Sequence, residues 1–352
     1  MSRASYQISV GGLNVTPNFS PLLISLEISE SDGGKSDQCT ITLDDKDGAI
    51  LLPETGSQME AMLWWIEPPP GVGAGAAQFT GVTDEPRSHG SRHQGRILTI
   101  TAHSADLKGK GKQKTSKHYD QKQFKDVAQD LGQKAGYQVS IDQSLATLER
   151  DYWVCAHESF LSWGRRISDE IGAAFKTAYP MAAFVPRNTA DSASGIALAQ
   201  VNAVVGLNVI SWDMAPILSR GLYQNSKVRI YDRLKAAWDE ASQSIGSTGA
   251  EADLRATFKQ PDKGRATDNT KTGSADAKRK QGGGHIELQG EPAAQSQAQL
   301  TLSGARPGID GTYLIKSTHH RYHRHQGWIT TCEVVNPSGS AGDDSRGSSS
   351  SD

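Results

Sequence analysis

The side chains richest in chemistry sit in one short run, His319-His320-Arg321-Tyr322-His323-Arg324-His325. In an extended strand alternate residues share a face, so His319, His323 and His325 could converge on a metal ion. Arg321 stands among them and would repel a cation, and no carboxylate or cysteine accompanies the run. It reads as a polar hairpin tip. The cysteines, Cys39, Cys155 and Cys332, are far apart and form no CxxC pair. Two lie in apolar, strand-like text, and all three read as small buried hydrophobes of a protein folded in a reducing cytoplasm. The adjacent carboxylates Asp44-Asp45 and Asp169-Glu170 fall in a turn and on a helix face. Neighbours in sequence do not address one substrate together, so they make no glycosidase pair. The run Lys108-Gly109-Lys110-Gly111-Lys112-Gln113-Lys114 could touch phosphate or an acidic partner, but alternating Lys and Gly more simply make a flexible loop. No GxSxG elbow, HExxH or P-loop occurs, and Gly282-Gly283-Gly284 precedes a strand, not a helix. The expectation is no catalytic, cofactor-binding or metal-ligating residue and no cofactor.

The elements that hold these residues are mostly strands. The chain has 352 residues, 36% apolar, with 36 glycines and a formal net charge of -2. About one glycine in ten residues favours turns and short strands, and the near-neutral balance excludes the basic footprint of a nucleic-acid binder. Met1-Ser2-Arg3-Ala4-Ser5 lacks the apolar core of a signal peptide. The most apolar stretch, Gly195 to Trp212, is broken by Gln200, Asn202 and Asn208 and is too short and polar to span a bilayer. No stable membrane insertion is expected.

From 4 to 108 the text alternates in short strands. Tyr6-Gln7-Ile8-Ser9-Val10 turns through Gly11-Gly12 into Leu13-Asn14-Val15, and Leu22 to Ile28, Cys39 to Leu43, Met59 to Ile66, Gln78 to Thr83 and Arg96 to Ala102 follow. This fits a small barrel or sandwich. Trp64-Trp65 puts one indole on each strand face. Between about 105 and 190 the period changes. Phe124, Val127, Ala128, Leu131 and Ala135 recur at helical spacing behind Asp120 as a cap, and Gly136 ends the helix. Tyr137 to Ile141 is a strand, Ser159 to Ala173 a second helix with Trp163 in its core, and Phe175 to Val185 a strand. Beyond 196 strands return at Leu207 to Trp212, Asn225 to Tyr231, His285 to Leu288, Ala298 to Leu302, Thr312 to Arg321 and Trp328 to Val335. Residues 243–284 read as a polar loop with a helical turn at Ala275 to Lys280. Two segments look alike: Phe79-Thr80-Gly81-Val82 … Arg96-Ile97-Leu98-Thr99, and Gly311-Thr312-Tyr313-Leu314-Ile315 … Gly327-Trp328-Ile329-Thr330.

The ordered set Phe79-Thr80-Gly81-Val82, Leu98-Thr99-Ile100-Thr101-Ala102-His103-Ser104-Ala105-Asp106-Leu107, Phe124-Lys125-Asp126-Val127-Ala128, Gly136-Tyr137, His157 to Ala173, Pro307 to Tyr313 and Gly327-Trp328-Ile329-Thr330-Thr331 resembles the phage late control gene D family. The likeness runs through roughly residues 75–335. It implies a mainly β chain with two similar small β-barrels, tube-like modules, plus an α+β domain and a polar insertion. The bounds would be 1–107 for the first barrel, 108–192 for the α+β domain, 193–242 with 285–337 for the second barrel, 243–284 for the insertion and 338–352 for a disordered tail. It further implies a structural tail baseplate hub and not an enzyme: a homotrimer whose six barrels join a sixfold tail tube protein to a threefold central spike protein, beside other baseplate and tape-measure proteins. Such a protein belongs in the virion and assembles in the host cytoplasm. The hub part of type VI secretion spikes is related, so a spike or hub component of a type VI or extracellular contractile injection system is the alternative, and a cell-wall-degrading tail enzyme a more distant one.

Overall fold

The computed structural model describes residues 2–32, 36–92, 95–190, 197–232, 235–247, 249–257, 259–260 and 262–343. The first segment folds as β1 (Arg3–Val10), β2 (Leu13–Asn14), a short α1 (Thr16–Phe19), β3 (Leu23–Ser31), β4 (Gln38–Asp44), β5 (Gln58–Glu67), β6 (Ala76–Ser91) and β7 (Gly95–His103). Gly11 and Gly12 both take positive φ, as the two-residue hairpin between Val10 and Leu13 requires. Alternation buries one face of each strand. Cys39, Ile41 and Leu43 of β4 meet Met59, Ala61 and Leu63 of β5 and Leu98, Ile100 and Ala102 of β7 in one core.

The middle segment comprises β8 (Thr115–Gln123), α2 (Phe124–Lys134), β9 (Gln138–Ile141), α3 (Gln143–Ala146), β10 (Glu149–Glu158), α4 (Phe160–Ile171), β11 (Ala173–Ala178) and β12 (Met181–Pro186). It has its own core, in which Phe124, Trp153, Trp163 and Phe184 cluster with ring centroids 5.0–6.3 Å apart. α4 is capped by Ser159, whose hydroxyl accepts from the Ser162 amide, and ends on Gly172 in the left-handed region. Asp120 caps nothing. β8 runs on to Gln123 in register with β10, so α2 begins only at Phe124 without a side-chain cap.

The last segment contains β13 (Val201–Val204), β14 (Val209–Ala215), β15 (Asn225–Asp232), β16 (Ala237–Ser244), β17 (Leu254–Arg255), α5 (Lys263–Arg279), β18 (Gly283–Gln289), β19 (Gln299–Ser303), β20 (Gly311–His323) and β21 (Gly327–Ser338). Two parts differ from expectation. β15 pairs with β16 and β17 in a separate three-stranded sheet that carries α5, so the text expected to loop out is largely structured. Its helix buries only small residues, Ala266, Thr270, Ser274 and Ala277, which allow close approach but give no large-apolar signal. At the other end β21 continues to Ser338, and residues 344–352 of the expected tail lie outside the described residues.

The chain is mainly β, in several sheets. Among the described residues none closes into a barrel. Instead β3-β4-β7-β6-β5-β1 and β14-β18-β21-β20-β19-β13 form two six-stranded arrays joined by β20 on β3, and with β2 on the far side of β1 they make one 13-stranded sheet. The β3 edge that closure of the first array would use is occupied by this joint. The two arrays match strand for strand in order, and they match in register as well. Val82 opposite His103 corresponds to Leu314 opposite Val335. Ile41 opposite Ile100 corresponds to Ile286 opposite Cys332, and Gln58 opposite Val82 to Gln299 opposite Leu314. Leu26 opposite Ile41 corresponds to Trp212 opposite Ile286. Bulges recur at equivalent points, between Leu23/Ser25 and Val209/Ser211 and between Thr83/Glu85 and Ile315/Ser317. Such bulges are built features, so their recurrence marks a repeated unit. Gly95 and Gly327, with φ of 73° and 77°, open the two return strands. The sixth strand of each array differs: β1 runs antiparallel to β5 and carries β2 on its far side, whereas β13 runs parallel to β19.

Candidate functional site: the joint between the arrays

β20 and β21 belong to the second array at their base and to the first at their tip. Below the Ser317 bulge β20 pairs with β19; beyond it, residues Ser317 to His323 pair with Ser31 to Ser25 of β3. Arg321 lies opposite Glu27, and His319 Nε2 is 3.2 Å from a Glu27 oxygen. That hydrogen bond holds the Glu27 carboxyl below its ordinary range, against the opposing effect of burial. His320 points inward. Its Nε2 is 3.0 Å from the Ala294 carbonyl and its Nδ1 2.9 Å from the Thr330 hydroxyl. A carbonyl can only accept, so Nε2 carries the proton and Nδ1 accepts from Thr330. Burial pushes His320 down to about 4, and the ring is neutral near pH 7.

The tip supplies aromatic side chains to the other array's core. Trp328 is buried there, stacked on Trp65 at 5.4 Å, and Tyr322 tilts against Tyr6 at 5.2 Å. Trp65 Nε1 donates to the Gly290 carbonyl at 2.6 Å. Position 290 has to be glycine, because a Cβ there would lie 2.2 Å from the Trp328 ring. The ring-to-ring and N–H contacts tie strands far apart in the chain, so the joint is a packed interface and not a loose hinge.

Beside it runs a polar seam that brings four segments together. Lys176 of β11 places Nζ 2.8 Å from Glu30 and 3.7 Å from Asp37. Glu30 also accepts from the Ser296 amide and hydroxyl, at 3.3 and 2.8 Å. Asp32, buried, accepts from Arg279 of α5 and from Gln297 Nε2. Burial pushes Glu30 upward, but the Lys176 charge and these hydrogen bonds outweigh it and leave the carboxyl below its usual range. Asp37 is the reverse case. Burial and the neighbouring Glu30 charge overcome Lys176 and raise it to about 7. Three carboxylates face two cations, and the proton taken up by Asp37 near neutrality balances the set. A cavity of about 270 Å³ opens beside the seam, lined by Glu30, Asp37, Lys176, Met181, Val185 and Gln297.

The chemistry considered from sequence is distributed as follows. His319 bonds Glu27, His320 is in the core, and the His323 and His325 rings lie 5.9 Å apart near the hairpin end. No group of three or more His, Cys, Asp or Glu could hold a metal ion among the described residues. The three cysteines are buried, and burial pushes the Cys332 thiol up to about 12. Asp45 accepts from the Ile50 amide, while Asp169 pairs with Arg187 and Glu170 with Arg150, so neither acidic pair faces one point. In the lysine run, Lys110–Lys112 form a 3-10 turn and Lys108 donates to the Thr55 carbonyl. Trp163 is in the core of the middle segment, and Trp65 packs at the joint with Trp64 half-buried beside it. Glu30, Asp32, Asp37, Lys176 and Arg279 were not singled out by sequence: each is an ordinary charged residue, and only the fold assembles them.

No family model matches the chain. It is 26% identical over 191 residues to the probable baseplate hub protein of Escherichia phage 186, and 23% over 201 residues to that of Escherichia phage P2. These alignments cover 54% and 56% of the chain, which spans about half the length of the curated relatives it matches. Its fold is similar to a 43 kDa prophage MuSo2 tail protein from Shewanella oneidensis, with a TM-score of 0.70, 13% identity, and 95% of this chain and 99% of the other covered. A component of the E. coli type VI secretion system shares the fold with a TM-score of 0.53, 10% identity, and 97% and 78% covered. The resemblance to late control gene D proteins, drawn from short motifs, is borne out by these likenesses.

Proposed function

We propose that this chain is a structural baseplate hub of a phage tail or phage-like injection device and has no catalytic role. In this reading it acts as a homotrimer between the sixfold tail tube protein and the threefold central spike protein, in contact with other baseplate and tape-measure proteins. The observation that carries the reading is the repeated array: two units of the same strand order and register in one chain. A trimer then presents six near-equivalent units to a sixfold tube while keeping threefold symmetry toward a spike. The tube-like modules would be the two arrays, the first within 1–107 and the second within 197–215 and 283–338, with the separate sheet of β15, β16 and β17 outside the second array. Residues 108–192 would be an outer α+β domain. The names of the two phage relatives support a place in the virion tail; assembly in the host cytoplasm belongs to the same proposal. The net charge of -2 speaks against a nucleic-acid role.

Native mass spectrometry of the purified chain, alone and with its tube and spike partners, tests this. A trimer that binds one spike trimer is the expected result; a stable monomer that ignores both partners would overturn it. A clearing assay on cell walls separates the hub from a lytic tail enzyme, and no clearing is expected. The likeness of fold to a type VI secretion component supports a second reading, a hub in a type VI or extracellular contractile system. Genes for a secretion ATPase beside this one would favour it over a phage tail.

A further inference from the structure

The joint within the chain is a template for a second joint that one chain cannot make. Beyond its bulge, β20 pairs with the outer edge of β3. The equivalent halves are the far end of β6 and the outer edge of β14. Among the described residues, no strand pairs with β6 on that side beyond Val82, and β14 ends the sheet. Asp84, Glu85 and Arg87 to Gly90 are exposed, as are Ile210 to Asp213 and Ala215. Open edges of this kind invite pairing with another chain.

We propose that the far end of β6 in one copy pairs antiparallel with β14 of a second copy of this chain, head to tail, repeating the β20–β3 joint between molecules. Carrying the internal register across sets Arg87 opposite Ala215, Ser88 opposite Met214, His89 opposite Asp213 and Gly90 opposite Trp212. Two features of the sequence fit this register independently. Arg321 opposite Glu27 becomes His89 opposite Asp213, again a base facing an acid. Tyr322 opposite Leu26 becomes Gly90 opposite Trp212, so that large and small exchange sides and the indole finds room. Trp212 is 42% exposed and Ile210 47%, whereas Leu26, in the place of Trp212 at the internal joint, is fully buried. Pro86 and Pro216 fall opposite one another at the base. Neither can donate, so the new ladder starts at Arg87. Each copy gives one strand and receives one, and the contact is heterologous. Closure after three copies rests on the hub reading above.

The test is an Arg87→Cys, Ala215→Cys double variant of the full chain. Both sites are exposed, and the native cysteines are buried. Under mild oxidation it is expected to run as a covalent trimer on a denaturing gel, with each single variant running as a monomer. Asp213→Lys should weaken the trimer roughly tenfold, and His89→Glu in the same chain should restore it, with unchanged circular dichroism as the folding control. A trimer by native mass spectrometry that forms no disulfide and is indifferent to Asp213→Lys would overturn this pairing and leave the hub reading standing. A covalent ladder longer than three would support the pairing and overturn the closed ring. A chain that stays monomeric at high concentration would overturn both.

Discussion

Asp37→Asn should make the protein more stable at pH 8 and leave it almost unchanged at pH 4. The Asp37 carboxyl titrates at about 7 in the fold, against 3.8 ordinarily, because burial and the Glu30 charge disfavour its anion. Between those values the folded chain holds a proton that the unfolded chain has released. Stability from this group is therefore complete below pH 4, declines as pH rises, and is lost above about pH 7. Roughly three units at about 1.36 kcal/mol each set a ceiling of about 4 kcal/mol. The value of about 7 already includes the pull of Lys176, and the side chain is 20% exposed, so solvent screening reduces this to about 2 kcal/mol. Asparagine keeps the acceptor for the Ser31 amide, now 3.2 Å away, and removes only the charge. About 2 kcal/mol corresponds to a rise in Tm of about 4 °C for a unit of this size. Thermal melts of both proteins at pH 4, 6 and 8, followed by near-ultraviolet dichroism, give the difference directly. An equal difference at all three values, or a less stable asparagine variant at pH 8, would refute the charge balance drawn for the seam.

Lys176→Met removes the cation from the same seam and leaves Glu30 buried beside Asp37; a loss of about 3 kcal/mol is expected in urea unfolding, with part recovered by adding Glu30→Gln. Gly290→Ala drives a methyl group into Trp328 and should cost about 2 kcal/mol or more, read as a lower Tm and a red-shifted tryptophan emission. His320 acts in the opposite sense to Asp37. Its folded value of about 4 lies below the ordinary 6.5, so stability is present above pH 6.5 and falls as pH drops towards 4, and His320→Asn should flatten that acid limb of the Tm profile. Trp163→Ala should cost about 3–5 kcal/mol and speed amide exchange throughout α2 and α4, because the indole is fully buried against Phe124 and Phe184.

The legible parts of the fold were those with large apolar residues at a clear period. Phe124, Val127, Ala128 and Leu131 marked α2, and Gly11-Gly12 marked the first hairpin, because spacing and positive φ decide those features locally. α5 left no such mark, since a helix that buries Ala266, Thr270, Ser274 and Ala277 has the composition of a loop. In sequence the resemblance between the two β hairpins was visible only as two segments of similar text, Phe79 to Val82 with Arg96 to Thr99 and Gly311 to Ile315 with Gly327 to Thr330, without an alignment of positions. The register shows the likeness to be a matched pair of arrays. The joint itself was illegible. Strand alternation fixes which face of β20 is buried but not which strand lies beside it, and closed barrels were the simpler expectation. Charged residues of the seam are likewise ordinary one by one, and only the meeting of β3, β11, α5 and the turn before β19 makes them a set.

The shared hairpin also sets an order of events during synthesis. Leu26 and Ile28 are made early, yet the strand that covers their edge and the indole that fills their core come roughly 300 residues later. At about 5–20 residues per second, roughly 15–60 s pass before Tyr322 and Trp328 emerge. Through that interval the nascent first array carries an uncapped strand and an unfilled hole. It is then exposed to pairing with the same strand on a neighbouring ribosome, and a chaperone that shields β3 until release would raise the yield of correctly folded chains.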